Sequence, residues 1–340
     1  MKVRALALSL MTVSSLVSVN EVTHHAEARG VTGQLYQNPI FVRNAPDPAV
    51  IRDENGTYYS FVTQSVYGGE RVNFPILKSQ DLVNWTYVRD ALPRLPSWAA
   101  RGEARATWAP HVIEHQGRYL MYYSARQAST KTLAIGIAIS DSLEGPWRDK
   151  GAPLMKGPSY TTIDPFVMKT AAGKLIIYWG SAGAPIKAQR LSASGLRLVG
   201  DPKVVLRVRR DVRYERLIEA PWIHEHEGAY YLFYSGDRCC REKAHYAVMV
   251  ARSSSPWGPF RRHPSNPILE LNDEFLAPGH NSVITDEAGE DWILYHAMPR
   301  PKASDNRLLM IDKIDWSNGW PEINGGQGPS SDARSGPVTS

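Results

Sequence analysis

The sequence predicts an all-β fold, a five-bladed β-propeller built as a single domain. Three observations lead there. Five segments repeat one plan: GTYYSFVT from Gly56, GRYLMYYSA from Gly117, GKLIIYWGS from Gly173, GAYYLFYSG from Gly228 and GEDWILYHA from Gly289. Successive repeat glycines lie 61, 56, 55 and 61 residues apart, so five units fill the 340 residues with little left over. Helical periodicity is hard to find past the N-terminal region, while short tyrosine-, leucine- and isoleucine-rich runs recur between turn residues. Strands in fours at such a period describe propeller blades, although the period exceeds that of familiar repeats.

The elements follow in order. Lys2 and Arg4 precede an apolar stretch, Ala5 to Val19, and Ala26-Glu27-Ala28 supplies small residues where a signal peptidase would cut. Residues 1–28 therefore read as a signal peptide, too short and too polar for a transmembrane helix. Residues 29–322 read as the propeller, with the segment before Asp47 helping to close the ring as an outer strand beside the last blade. Each unit opens with a short apolar run, such as Pro48-Ala49-Val50-Ile51 or Pro165-Phe166-Val167-Met168. Polar residues and a glycine follow, as in Asp53-Glu54-Asn55-Gly56, which is hairpin chemistry. The tyrosine-rich second strand comes next, then a third, such as Ala134 to Ile139 or Tyr246 to Ala251. A turn bearing an aromatic ring precedes the fourth strand, as at Trp85, Trp147, Trp257 and Trp320. The third unit is the weakest match, because Leu191 to Leu198 lacks that ring. The Gly-, Ser- and Pro-rich segment 323–340 reads as a disordered tail.

Composition narrows the function classes. A hydrophobic content of 43% is ample for a packed core. The formal net charge is +5 and survives removal of residues 1–28, which carry two basic and two acidic side chains. Only Arg207, Arg209, Arg210, Arg213 and Arg216 cluster, and Asp211 and Glu215 dilute them. That pattern is a solvated loop face, with no nucleic-acid groove and no membrane span expected. The two cysteines, Cys239 and Cys240, are neighbours and cannot staple distant segments. Either a vicinal disulfide or two free thiols fits the sequence.

Nine residues before each repeat glycine stands a chemically loaded side chain: Asp47, Trp108, Asp164, Glu219 and His280. Equivalent positions in a repeat fold occupy equivalent places around the axis. These five should therefore converge on one funnel. An Asp before Pro, as at Asp47 and Asp164, is ordinary turn chemistry when taken alone. Three acids at one offset point instead to a crowded carboxylate site whose members shift one another's proton affinities. Glycoside hydrolysis needs such a set: one acid to protonate the leaving oxygen and one carboxylate to activate water or attack the sugar carbon.

At these positions the residues resemble glycoside hydrolase family 43. The resemblance rests on Asn44-Ala45-Pro46-Asp47-Pro48, Thr107-Trp108-Ala109-Pro110-His111-Val112, Ile163-Asp164-Pro165-Phe166, Ile218-Glu219-Ala220-Pro221 and Pro278-Gly279-His280-Asn281-Ser282-Val283. It covers the chain from about Asn38 to Pro321. It implies a five-bladed propeller of inverting enzymes acting on arabinose- and xylose-containing plant polysaccharides. By the same resemblance Asp47 would be the general base, Glu219 the general acid, and Asp164 the residue that positions Glu219 and raises its pKa. Trp108 would form an apolar wall for the sugar ring, or else plug the core. Arg307 would reach the sugar, or else lie on the surface. His280 would touch substrate, or water around a bound ion, which makes it the one candidate metal contact. No cofactor is required, and a structural calcium near the axis is the one ion the resemblance suggests. His111 departs from the pattern, since that position often carries Asp, and the cysteine pair is not general to the family.

The expected protein is a secreted or periplasmic α-L-arabinofuranosidase or arabinanase that takes an oligo- or polysaccharide. Few residues follow Pro321, so the β-sandwich of many family xylosidases is not expected, which tilts the expectation toward arabinan. The alternatives are a β-xylosidase or exo-galactanase on the same scaffold, or a non-catalytic sugar-binding propeller. The last sits poorly with a loaded residue that changes from blade to blade. Exo or endo action would depend on rim loops such as Ser65 to Phe74 and Arg94 to Arg105.

Overall fold

In the computed structural model, residue 1 and residues 34–339 are described, apart from 104, 302 and 305. The expected signal peptide, beyond its first residue, lies outside the described residues. The described chain is all-β apart from two single-turn 3₁₀ segments, Arg213–Glu215 and Asn324–Gly326.

Five antiparallel sheets form the five blades. Blade one comprises Ala49–Arg52, Tyr58–Phe61, Pro75–Ser79 and Thr86–Asp90. Blade two comprises Thr107–His115, Arg118–Arg126, Leu133–Ser140 and Arg148–Asp149, and Met155–Lys156 pairs back onto its third strand. Blade three comprises Phe166–Lys169, Leu175–Trp179, Ile186–Leu191 and Leu198–Leu206. Blade four comprises Ile218–His226, Ala229–Arg238, His245–Ser253 and Arg261–Arg262. Blade five comprises Phe275–Thr285, Asp291–Pro299, Leu308–Ser317 and Trp320–Ile323. The first strand of each blade contacts that of the next, and the first strands of blades five and one also meet, so the ring closes. Blade one carries an insert, the hairpin Ser65–Tyr67 and Glu70–Val72, between its second and third strands.

The hydrophobic core lies in the seams. Blades one and two bury Tyr59, Phe61 and Ile76 against Val112, Met121 and Trp147. Blades four and five bury Phe233 and Val250 against Ile293, Tyr295 and Met310. The other seams are filled in the same way. The second strand of each blade is buried on both faces, which is why those strands read as continuous apolar runs rather than as alternation. The rings of the expected turns fold over their own loops. Trp85 Nε1 donates to the carbonyl of Leu82, and Trp147 Nε1 to that of Leu143. In blade three, where the ring is missing, Tyr122 of blade two donates its hydroxyl to Gly195 O instead.

Both ends of the described chain bond to blade five. Ile40 N–H donates to Leu309 O at 3.0 Å, and the Asn38 side chain holds both the carbonyl and the N–H of Ile311. The segment before Asp47 thus lies beside the half of the third strand that Trp320–Ile323 leaves unpaired. The expectation of a disordered tail over 323–340 is corrected. Arg334–Ser335 pairs with Leu35–Tyr36, and the Val338 N–H donates to Asp286 Oδ2. Ser330 is buried, with its N–H on the Asp312 carboxylate. Glycine and serine let this segment follow blade five through backbone hydrogen bonds, so no apolar periodicity marks it.

Candidate active site

The hairpin that ends each first strand places the loaded residue at the opposite end, toward the axis. Asp47, Asp164 and His280 have φ of 57°, 59° and 46°; in the other two units the left-handed residue comes one later, at Ala109 (46°) and Ala220 (54°). Pairing skips at Trp108–His111, Glu219–Trp222 and Gly279–Ser282, which are β-bulges. A bulge re-aims the side chain beside it. Each non-glycine left-handed residue costs roughly 1–3 kcal/mol. One fully buried large apolar side chain offsets that at about 1.5–3 kcal/mol, and every seam holds several.

A second repeat position holds these backbones. Seven residues after the glycine stand Thr63, Ser124, Ser235 and His296, and in the third unit Ser181 stands eight after Gly173. Each reaches across the seam to the next blade. Ala109 N–H donates to Thr63 Oγ1 at 2.7 Å, Asp164 N–H to Ser124 Oγ at 3.1 Å, and His280 N–H to Ser235 Oγ at 2.8 Å. Asp47 N–H donates to His296 Nδ1 at 3.1 Å, and Ser181 Oγ donates to Glu219 Oε2. The offset is legible in four of the same five segments but was not singled out from the sequence.

All six residues singled out from the sequence line one cleft of about 750 Å³: Asp47, Trp108, Asp164, Glu219, His280 and Arg307. Trp108 is half-buried on the cleft wall and does not plug the core. The Arg126 guanidinium lies 5.6 Å from both the Trp108 and the Tyr160 ring centres and donates to Tyr160 Oη at 2.6 Å. Arg307 is not on the surface; its Nη1 lies 2.8 Å from Asp47 Oδ1. Asp47 Oδ2 accepts from Thr63 Oγ1 at 2.5 Å.

The carboxylates fall into two states. Burial works to raise the Asp47 pKa, but the Arg307 guanidinium and His280 outweigh it and hold the carboxyl well below the usual range. Asp164 moves the other way. Burial pushes it well above the ordinary carboxylate value, and the charges of Glu219 and Asp47 add to the shift. Glu219 is also raised, by burial first, against the hydrogen bonds from Ser181 and Tyr246. Both carboxyls are thus pushed toward the protonated form, Asp164 by burial and the Glu219 charge, Glu219 by burial and the Asp47 charge. Tyr246 Oη donates to Glu219 Oε1 at 2.7 Å, so both Glu219 oxygens are held. Asp164 Oδ2 accepts the Ala220 N–H at 3.1 Å, beside Glu219. Gly279 makes room for this: a Cβ there would lie 2.1 Å from the Tyr246 ring.

Burial opposes the charge on the histidines as well. Burial lowers His296 to about 4, and because Nδ1 accepts the Asp47 N–H, the ring proton sits on Nε2. Burial lowers His280 too; its Nδ1 lies 3.3 Å from Asp47 Oδ1 and 3.9 Å from Asp164 Oδ2. His111, where the pattern suggested Asp, is a core residue. It accepts the Val167 N–H, packs 4.5 Å from Phe166, and is lowered to about 3 by burial.

Among the described residues, His280, Asp47 and Asp164 do not bring three ligand atoms within one coordination sphere, and Arg307 already balances Asp47. Cys239 and Cys240 are joined by a disulfide and line the cleft, as do Gln64, Val66 and Arg71 at the blade-one hairpin.

A family model for Glycosyl hydrolases family 43 matches residues 36–321. The chain is 28% identical over 292 residues to the extracellular endo-α-(1→5)-L-arabinanase 1 of Bacillus subtilis (strain 168), covering 81% of this chain and 86% of that protein. It is 29% identical over 309 residues to the extracellular exo-α-(1→5)-L-arabinofuranosidase ArbA of Cellvibrio japonicus (strain Ueda107), covering 82% and 85%. The crystal structure of a thermostable family-43 glycoside hydrolase superposes with a TM-score of 0.77 at 27% identity, covering 90% of this chain and all of that one.

Proposed function

This chain belongs to glycosyl hydrolases family 43, and on that premise we propose that it hydrolyses α-L-arabinofuranosyl linkages in plant polysaccharide with inversion. One observation carries the reading. A single cleft holds one carboxyl lowered by a neighbouring guanidinium, Asp47, and two raised by burial, Asp164 and Glu219. Inversion uses such a division. Glu219 gives its proton to the glycosidic oxygen as the bond to the anomeric carbon breaks. Asp47 takes a proton from a water that attacks the opposite face of that carbon. The products are a free hydroxyl on the leaving chain and an arabinose of inverted configuration. Asp164, through Ala220 N–H, anchors the backbone beside Glu219.

Trp108 serves as the apolar face for a sugar ring, supported by Arg126 and Tyr160. The Cys239–Cys240 disulfide forms a further stretch of cleft wall. Arg307 acts first on Asp47 and only then on substrate. No step requires a metal. The reading also puts the enzyme outside the cytoplasm, in keeping with relatives named extracellular.

Paired assays on nitrophenyl α-L-arabinofuranoside and nitrophenyl β-D-xyloside test the substrate. Preference for the arabinoside supports the reading, and preference for the xyloside would replace it with the xylosidase alternative. Proton NMR of the first-formed product tests inversion; retained configuration would reject the assigned roles. Product profiles on linear arabinan separate exo action, with one small product, from endo action, with a ladder.

A further inference from the structure

The geometry points to a second site, at the base of the seam between blades four and five, in which His224, His226 and Asp291 bind one divalent transition ion of zinc's class. It is independent of the glycosidase reading. His224 and His226 alternate on Ile218–His226, so both rings project from one face. Asp291 opens the facing second strand of blade five. His224 Nε2 lies 2.9 Å and His226 Nδ1 3.3 Å from the same oxygen, Asp291 Oδ2. One ligating atom from each residue lies within 4.8 Å of the other two. Bonds of about 2.0–2.2 Å from one ion span such a triangle. Two imidazoles and one carboxylate suit zinc, copper or nickel, while calcium prefers an all-oxygen set.

The surroundings orient the ligands as a metal site requires. Thr285 Oγ1 donates to Asp291 Oδ1 at 2.6 Å, and Trp316 Nε1 donates to Oδ2 at 3.1 Å. Hydrogen bonds of this kind fix a ligating carboxylate. The His226 ring stacks on Trp316 with centroids 3.7 Å apart and planes 9° from parallel, which locks its rotation. The Asp291 side chain is 5% exposed, and its ion-pair partners among the described residues are the two histidines, with no Lys or Arg. His226 is 25% exposed, so an ion can enter from solvent. Glu219 lies on the same strand five residues before His224, about 16 Å away at the usual strand rise. An ion here therefore pins two blades together without entering the cleft.

Isothermal titration of zinc chloride into full-length protein stripped with EDTA tests the site. One equivalent should bind, and the melting temperature should rise with zinc but not with calcium chloride. The double variant His224→Gln/His226→Gln should weaken zinc binding by at least about 100-fold, and Thr285→Val, which keeps all three ligands, by about tenfold. Glu219→Gln should bind zinc as the wild type does. Absence of stoichiometric binding overturns the proposal, as does a double variant that binds normally. If the double variant fails to fold, unchanged affinity in Thr285→Val and in Trp316→Phe overturns it instead.

Discussion

The two walls of the cleft carry the same functional group in opposite electrical settings. On one wall Asp47 faces the Arg307 cation and accepts a hydroxyl hydrogen bond from Thr63. On the other, burial outweighs the smaller lowering by the Arg307 charge at Asp164 and Glu219, which accept hydrogen bonds from Tyr246, Ser181 and a backbone N–H. Burial penalises the charge on both walls. The difference lies in what compensates: a full positive charge overcomes burial, and neutral donors do not. One fold thereby lowers one carboxyl and raises two others within a single cleft.

The largest effect expected is loss of catalysis when either wall loses its group. Asp47→Asn and Glu219→Gln should each lower kcat by about 10³-fold, the middle of the range for general acid–base groups. Steady-state assays on an arabinofuranoside check this, and near-normal turnover by either variant would break the comparison. Next comes Gly279→Ala. Its methyl group would collide with the Tyr246 ring, displace the hydroxyl from Glu219, and lower kcat by about 10²-fold. Asp47 touches neither residue, so the acidic limb of the pH profile should stay in place.

Arg307→Met should act on the opposite limb. Removing the guanidinium raises the Asp47 pKa. A base works only when ionised, so activity should fall at higher pH values than in the wild type as the solution is acidified. The basic limb, set by the raised Asp164–Glu219 pair, should move much less. The smallest effect expected is on stability. A carboxyl whose folded pKa is raised favours the folded state below its unfolded pKa, and that contribution is lost as pH rises toward the folded value. At neutral pH Asp164 therefore works against folding. Asp164→Asn keeps an acceptor for Ala220 N–H and should raise the melting temperature by on the order of 2 °C, while activity drops. A fall in melting temperature would show that Asp164 is compensated by something other than a shared proton.

The sequence revealed Asp47, Trp108, Asp164, Glu219 and His280 because repeat offset survives even where residue identity does not. The bracing position, Thr63, Ser124, Ser235 and His296, was equally visible in the same segments. It was missed because serine and threonine in a strand carry no chemical alarm. Tyr246 was out of reach, since its hydrogen bond to Glu219 depends on the missing side chain of Gly279, a contact between blades. The pairing of Arg307 with Asp47 likewise joins residues at opposite ends of the chain. The tail from 323 differs from its expected disorder because its order comes from backbone pairing with Leu35–Tyr36 and from an N–H bond to the Asp286 carboxylate of blade five, which composition does not encode.

A proton held by the raised carboxyls can be tested for directly. Infrared difference spectra at pH 7 between the wild type and each variant report protonated carboxyl groups. The account predicts that Glu219→Gln removes a protonated-carboxyl band and that Asp47→Asn removes only an ionised-carboxylate band. Loss of the protonated band in Asp47→Asn, or its persistence in Glu219→Gln, would contradict it.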